Sequence, residues 1–151
     1  MTPRGIRNNN PLNIRRGNSK WQGMKPRQTD RDFCQFATID YGYRAAFKLM
    51  QTYYEKYGVR SVADLIGRWA PPSENRTREY VANVMYDLER QGFDYDARQE
   101  IPAPWRDKRL WCAIARAMLR QECGAKSADS PYAVGDISRG YDLAFVTCHN
   151  T

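Results

Sequence analysis

The sequence has few of the residues that metal and redox sites require. Its one histidine, His149, is close to the C-terminal end, which argues against a histidine triad or a metal cage. The four cysteines, Cys34, Cys112, Cys123 and Cys148, are far apart and form no C-x-x-C pair, so we expect reduced thiols. We therefore predict no metal and no cofactor, and any acid–base chemistry must use carboxylates or tyrosines.

Long apolar and long basic runs are also missing. Nowhere do eighteen apolar residues run together, and the first residues, MTPRGIRNNN, lack the apolar segment of a signal peptide. We expect synthesis in the cytoplasm without a signal peptide and no stable insertion into a membrane. Basic residues never occur five in a row, which argues against a dedicated nucleic-acid-binding tail.

Internal repeats and low-complexity segments are absent, so we expect one domain that spans residues 1–151. The formal net charge is +7 and the aromatic fraction is 13%. The charge indicates attraction to polyanions, which include nucleic acid, a membrane surface and an acidic cell-wall polymer, and it does not choose among them. The aromatic residues indicate either a groove for a flat sugar ring or base, or a tyrosine-rich rim of the core.

The pattern of apolar residues predicts a mainly α fold with about four to five helices and a small N-terminal β-hairpin. Residues 5–42 are rich in Gly, Asn and Pro and predict loops around that hairpin. The tyrosines of the first long helix, Tyr43, Tyr53, Tyr54 and Tyr57, are expected in the core. The predicted helices cover 43–57, 62–69, a segment from a cap at Asn75 or Thr77 to Gly92, and 105–123, while residues 141–146 predict a short helix or a strand.

Glu122 is the candidate acid because it lies at the end of the last long predicted helix and on its apolar stripe. A helical wheel places it within about 60° of four apolar residues, Trp111, Ala115, Met118 and Leu119, and opposite Arg109, Arg116 and Arg120. Apolar surroundings disfavour a charged carboxylate and raise its pKa, as a general acid requires. The alternative is a frayed helix end, where Glu122 turns to solvent and pairs with Lys126 or an arginine.

Two stretches resemble parts of lysozyme-like peptidoglycan hydrolases, especially bacterial glucosaminidases and lytic transglycosylases. ECGAKS, from Glu122, resembles the E-S-G-x-x-S pattern that follows their catalytic helix. RNNNPLNIR followed by Trp21, Gln22 and Gly23 resembles the Asn-Asn turn, strand and W-x-G hairpin that come after it in those families. The order is reversed here, which implies a circular permutation of the domain.

The chain also resembles a group of phage and prophage proteins over roughly residues 4–90. The matching pieces are NNNPLNIR, FCQF, GYRAAF and RWAPPSENRTREYV. Members of this group are labelled as virion structural proteins or as cell-wall lytic proteins, so the resemblance leaves activity open.

Together the resemblances imply a lysozyme-like domain that cleaves the glycan strands of peptidoglycan at the cell wall or in the virion. Glu122 would be the catalytic acid of a muramidase, glucosaminidase or lytic transglycosylase. The residues expected to bind the saccharide are Asn8, Asn9, Asn10 and Trp21 on one side, and Glu74, Asn75 and Tyr80 on the opposite wall. Asn75 is equally typical of a helix cap, Glu74 of a solvated first turn and Tyr80 of a core.

A second catalytic carboxylate has no clear candidate. Asp30, Asp32 and Asp40 lie in or beside the predicted hairpin, where aspartates usually serve turns or surface ion pairs. This favours a single-acid lytic transglycosylase over a two-carboxylate hydrolase. Two other classes stay open: a non-catalytic phage structural or saccharide-binding protein, and a nucleic-acid-binding domain supported only by the charge.

Overall fold

The computed structural model describes residues 1–71 and 76–146, and this part of the protein is mainly α. It contains seven α-helices and one 3-10 turn, and no β-strand. The count exceeds the predicted four to five because two helices, α1 and α6, are single turns of four residues that periodicity does not reveal. The elements are α1 Arg4–Arg7, α2 Ile39–Tyr57, α3 Val62–Trp69, α4 Thr77–Arg90, the 3-10 turn Pro104–Arg106, α5 Lys108–Cys123, α6 Ala125–Ala128 and α7 Ala133–Phe145.

Helix α2 ends where the sequence predicts and begins four residues earlier. Gly58 adopts φ 67°, a left-handed conformation that glycine reaches without steric cost, and its N–H donates to the Tyr53 carbonyl. The extra turn at the start includes Asp40, whose charge suits a helix N-terminus. Of the tyrosines predicted to lie in the core, Tyr43 is buried, which confirms the prediction for this residue. Tyr57 is 55% exposed, because the last turn of α2 extends past the core.

The starts of α3 and α5 are held by side-chain caps. Ser61 Oγ accepts the N–H of Asp64 at 3.1 Å, in agreement with the predicted cap. Asp107 accepts the N–H of Leu110 at 3.0 Å, so α5 begins after a short 3-10 turn and not at Trp105. Of the two caps predicted for the next helix, Asn75 lies outside the described residues. Thr77 is not the cap, because it is the first residue of α4 and Arg76 precedes it as the N-cap.

Helix α5 is the central helix of the core and packs against α4, α6 and α7. Its stripe of large apolar side chains, which includes Trp111 and Met118, is fully buried. The segment near residue 141, for which the sequence predicted a short helix or a strand, belongs to helix α7. Helix α7 packs on α2, where the rings of Phe47 and Tyr141 make an edge-to-face contact with 5.3 Å between their centroids. This packing places the last turn of α5, and therefore Glu122, at the edge of the core.

The predicted N-terminal hairpin is reduced to two isolated antiparallel bridges, Arg15 with Phe33 and Met24 with Phe36. Side chains make the hydrogen bonds that a longer strand ladder would make. The Asn10 amide donates to the carbonyls of Ile14 and Cys34, both at 2.9 Å, and its oxygen accepts the Ile14 N–H. Asparagines that bond the backbone in this way compete with regular secondary structure.

The N-terminal loop lies against both α2 and α5. Cys123 Sγ donates to the Pro11 carbonyl at 3.3 Å, which connects the loop to the end of α5. Gly42 of α2 lies so close to Asn9 that a side chain there would meet its carbonyl oxygen. Among the described residues, no helix is both long enough and apolar enough to cross a membrane.

Candidate active site

Glu122 lies in the last full turn of α5, and both of its carboxylate oxygens accept hydrogen bonds. Asn13 Nδ2 donates to Oε1 at 2.8 Å, and the Tyr80 hydroxyl donates to Oε2 at 3.0 Å. Helix α5 continues to Cys123, so the helix end is not frayed at Glu122. Within residues 1–71 and 76–146 no basic nitrogen lies within 4.0 Å of this carboxylate, so neither Lys126 nor an arginine pairs with it.

The environment of Glu122 favours its protonated form. Burial raises the pKa of Glu122 above its ordinary value, while the hydrogen bonds from Asn13 and Tyr80 and the positive charge of Arg15 lower it by less. The net rise agrees with the position of Glu122 on the apolar stripe of α5. The side chain can therefore keep a proton to higher pH than a solvated glutamate and donate it to a bound group.

Asn13 is presented to Glu122 by an unusual backbone conformation. Its φ is 55°, a left-handed value that asparagine adopts more readily than most residues. Its neighbour Leu12 is buried, and the Leu12 carbonyl accepts the indole N–H of Trp69 at 3.1 Å. Asn13 Oδ1 is buried and accepts no hydrogen bond from the described residues, a cost of about 1–3 kcal/mol.

Tyr80 provides the second donor from the first turns of α4. Its side chain is buried, and burial, followed by the charge of Glu122, raises the pKa of the phenol. Tyr80 therefore stays neutral and keeps its proton for Glu122 over the physiological pH range.

Two cavities meet at Glu122. The first, the aromatic cavity, has a volume of about 280 Å³, and the second, the amide cavity, of about 230 Å³. Because Glu122 lines both, a chain-like ligand that occupies the two cavities would pass its carboxylate. Besides Glu122, the aromatic cavity is lined by Asn13, Arg15, Phe33, Tyr53, Arg68 and Trp69, among others, and the amide cavity by Arg76, Glu79, Tyr80, Asn83 and Gln121.

The three consecutive asparagines support the loop and do not line these cavities. Asn8 donates to Asp30 at 2.9 Å, and Asn10 bonds the backbone as described above. Asn9 adopts φ 52° and donates to the Phe36 carbonyl at 3.1 Å. The loop they organise carries Asn13, which is the asparagine that reaches Glu122.

Of the other residues predicted for the site, Tyr80 contacts Glu122 and Trp21 does not. Trp21 lines a separate cavity of about 530 Å³ with Arg16 and Lys25. Glu74 and Asn75 lie outside the described residues.

The aspartates considered as a second carboxylate are engaged elsewhere. Asp30 receives hydrogen bonds from Arg4, the closer at 2.6 Å, and the Arg4 guanidinium holds the pKa of Asp30 well below its usual range. Asp32 also contacts Arg4, and Asp40 accepts from the Thr38 hydroxyl. None of the three lines either cavity beside Glu122.

Several lining residues were not predicted from the sequence. Glu79 lines the amide cavity and lies 3.5 Å from Arg76 in an exposed ion pair. Tyr53, which was expected only in the core, lines the aromatic cavity together with Trp69. Asn13 could have been found, because it belongs to the same NNNPLNIR stretch as the asparagines that were chosen.

Metal ligands are not assembled in the described part of the chain. Residues 1–71 and 76–146 contain no cluster of three or more His, Cys, Asp or Glu side chains that could hold an ion.

Replacing Tyr80 with phenylalanine is expected to raise the pKa of Glu122 further. The hydroxyl stabilises the ionised carboxylate, and phenylalanine keeps the apolar burial while it removes that hydrogen bond. The measurement is a carboxyl ¹³C NMR titration of Glu122 in the wild type and in Tyr80→Phe. Tyr86→Phe is the matched control, because Tyr86 lies on the same helix and is 63% exposed. An unchanged or lower midpoint in Tyr80→Phe would contradict the hydrogen bond.

Comparison with known proteins identifies a phage relative. The sequence matches no protein-family model. It is 32% identical over 145 residues to Protein P5 of Pseudoalteromonas phage PM2, an alignment that covers 94% of this chain and 82% of that protein. The relationship confirms the phage part of the resemblance in the sequence. The chain belongs to the family of Protein P5 of phage PM2.

Proposed function

We propose that this protein cleaves the glycan strand of peptidoglycan and that Glu122 is its general acid. The observation that carries the proposal is a half-buried glutamate with a raised pKa, held by Asn13 and Tyr80 where two cavities meet. A glycosidic oxygen is a poor leaving group until it is protonated, and a carboxylic acid kept neutral by its surroundings can supply that proton near neutral pH.

In the proposed reaction Glu122 first donates a proton and later accepts one. Glu122 donates its proton to the glycosidic oxygen as the bond from that oxygen to the anomeric carbon breaks. The anomeric carbon is then attacked by water, which gives hydrolysis, or by the sugar's own C6 hydroxyl, which gives a 1,6-anhydro ring. The nucleophile loses a proton to the Glu122 carboxylate, which restores the acid.

A saccharide chain would extend from one cavity to the other. Tyr53 and Trp69 offer aromatic surface for a sugar ring on one side of Glu122. Asn83 and Gln121, whose side chains are hydrogen-bonded to each other at 3.1 Å, offer amide groups on the other side. Asn13 and Tyr80 act as positioning residues that hold the carboxylate.

The single acid favours a lytic transglycosylase mechanism over a two-carboxylate hydrolase. Asp30 and Asp32 are bound to Arg4, and Glu79 is a solvent-exposed partner of Arg76. Intramolecular attack by the C6 hydroxyl requires no second carboxylate to activate water. Asn8, Asn9 and Asn10 line neither cavity, so we propose that they act indirectly, by supporting the loop that carries Asn13. Trp21 is proposed to contact a more distant position of the saccharide. The roles of Glu74 and Asn75 stay predictions from the sequence.

We also propose that the fold is a lysozyme-like domain in circularly permuted order. The contact of the N-terminal asparagine loop with the end of α5, through Asn13 and Glu122 and through Pro11 and Cys123, supports this arrangement. It brings together the two pieces of sequence that resemble adjacent parts of those hydrolases. The site of action would be the cell wall or the virion.

The competing function is a phage structural protein that binds saccharide without cleaving it. The family relationship to a phage protein is compatible with both functions. The two functions share the site and differ only in whether Glu122 transfers a proton, so an activity measurement separates them.

The test incubates purified protein with peptidoglycan and identifies the released muropeptides by mass spectrometry. We expect release by the wild type and by Glu89→Gln, an exposed glutamate of α4 that lines neither cavity, and its loss in Glu122→Gln. Products with 1,6-anhydro ends indicate transglycosylation, and reducing ends indicate hydrolysis. Equal release by all three proteins would overturn the role of Glu122, and no release by any would favour the non-catalytic alternative.

A further inference from the structure

We propose that a third cavity of the protein binds a small amphiphile, a molecule with an aliphatic chain and a neutral head that carries a hydroxyl group. This cavity, the Tyr43 cavity, has a volume of about 460 Å³ and shares no lining residue with the two cavities at Glu122. Its volume lies within the range of natural ligand pockets. The inference is independent of glycan cleavage, because it concerns a different part of the protein.

The Tyr43 cavity is formed where the N-terminal residues meet the start of α2 and the segment from α6 to α7. Much of its lining is apolar and includes Ile6, Ile39 and Leu119. Leu119 is buried, whereas Ile6 and Ile39 are only partly buried against the core. Tyr132, which lines the same cavity, is 74% exposed. Apolar surface that stays open to water is stabilised when a hydrocarbon chain covers it, so the cavity suits an aliphatic chain.

Tyr43 offers this cavity a hydroxyl group that no part of the protein bonds. The side chain is 1% exposed, and its hydroxyl makes no hydrogen bond with the described residues. Unlike Asn13 Oδ1, the hydroxyl oxygen is not one of the enclosed atoms without a partner, so it opens to the cavity that its side chain lines. A polar group held away from water without a partner costs free energy, which favours a ligand that bonds to it.

Two opposite charges at the same cavity favour a neutral head. Lys126 and Asp136 both line it, and Asp136 forms an ion pair with Arg139. An anionic head would meet the Asp136 carboxylate, and a cationic head would meet the Lys126 ammonium. A hydroxyl group can accept a hydrogen bond from Tyr43 or Lys126 and donate one to Asp136.

The Tyr43 hydroxyl is available as a donor across the physiological pH range. Burial, followed by the negative charge of Asp136, raises the pKa of the Tyr43 phenol. The phenol therefore stays neutral and keeps the proton that a ligand oxygen would accept.

The experiment is an NMR titration of the ¹⁵N-labelled full chain at neutral pH, in the absence of peptidoglycan. The probes are 1-octanol, octanoate and octylammonium, which share one chain and differ in the charge of the head, and 1-hexanol, which has a shorter chain. We expect 1-octanol to give saturable shifts of the amides of Tyr43, Lys126 and Ser130, which line the cavity. It should bind about 10-fold more tightly than either charged probe, because a charge would lose water there without a free partner. It should also bind about 10-fold more tightly than 1-hexanol, because two CH₂ groups fewer are buried.

Tyr43→Phe removes the hydroxyl and retains the ring. We expect the affinity for 1-octanol to fall by about 5-fold, the size of one hydrogen bond, while the melting temperature does not fall. Tyr141→Phe is the matched control, because Tyr141 is also buried and its hydroxyl donates to the Pro104 carbonyl at 2.8 Å. It does not line the Tyr43 cavity, so Tyr141→Phe should lower the melting temperature and leave the affinity unchanged.

Several results would overturn the inference. Shifts that do not saturate, or that lie outside the Tyr43 cavity, would show that there is no site. Binding of octanoate or octylammonium as tight as that of 1-octanol would contradict the neutral head. An equal loss of affinity in Tyr43→Phe and Tyr141→Phe would contradict the role of the Tyr43 hydroxyl. None of these results bears on Glu122, since no glycan is cleaved in the titration.

Discussion

Glycan cleavage by Glu122→Gln is expected to be lower than that of the wild type by about 1,000-fold, the size of a general-acid contribution. Glutamine occupies nearly the same volume and can accept the hydrogen bond from Asn13 while it donates to the Tyr80 oxygen. The site geometry is therefore retained and only the transferable proton is lost. Muropeptide release at saturating peptidoglycan is the measurement, and Glu89→Gln is the control.

The same substitution is expected to raise the melting temperature at neutral pH. The folded state binds the Glu122 proton more tightly than the unfolded state, because the pKa is raised on folding. The stability that this proton contributes is complete below about pH 4.5, the ordinary pKa, and is lost as the pH rises through the folded-state value. Glutamine has no charged form. The melting temperature of Glu122→Gln should therefore exceed that of the wild type at pH values above this range and should not exceed it at pH values below the range.

A lower melting temperature of Glu122→Gln at neutral pH would contradict this reasoning. It would mean that the ionised carboxylate gains more from Asn13 and Tyr80 than it loses by burial. Melting curves of both proteins at pH 4 and pH 7.5, values chosen on either side of the ordinary pKa, distinguish the two cases.

Gly42→Ala is expected to destabilise the fold by about 3 kcal/mol, or about 10 °C in melting temperature. A Cβ at this position would overlap the carbonyl oxygen of Asn9 and would lie 3.0 Å from Pro11 Cδ. Two hydrogen bonds oppose a shift of the loop away from the new methyl group: the Asn9 amide donates to the Phe36 carbonyl, and the Pro11 carbonyl accepts from the Cys123 thiol. The substitution should therefore displace Asn13 and lower activity as well as stability.

Gly67→Ala is the control for this prediction. Gly67 lies inside α3, and an added Cβ there meets no atom within 4 Å. Alanine is a better helix former than glycine, so stability should be unchanged or higher by up to about 1 kcal/mol. Thermal unfolding followed by circular dichroism measures both variants, and an equal effect of the two substitutions would contradict the close contact at Gly42.

Much of the helical structure could be predicted from local signals. The left-handed glycine at Gly58 and the cap at Ser61 depend on residues only a few positions away. The environment of Glu122 was also predictable, because α5 buries one continuous stripe and a helical wheel shows which residues share it. The raised pKa of Glu122 follows from that position.

The partners of Glu122 depend on contacts that no local pattern contains. Asn13 is 109 positions away in the sequence, and it reaches Glu122 only because the loop rests on Gly42 and bonds to Cys123. The β-hairpin was predicted from the spacing of apolar residues. That spacing does not show that asparagine side chains, such as Asn10, make hydrogen bonds in place of those between two strands. The exposure of Tyr57 likewise depends on where the core ends along α2.

The pH dependence of glycan cleavage, measured beside the titration of Glu122, tests the role of this carboxylate most directly. A general acid must be protonated, so kcat/KM for muropeptide release should fall as the pH rises through the pKa of Glu122 seen by carboxyl ¹³C NMR. In Tyr80→Phe both the alkaline limb and the NMR midpoint should move upward together. An alkaline limb that stays in place while the NMR midpoint moves would show that Glu122 is not the proton donor.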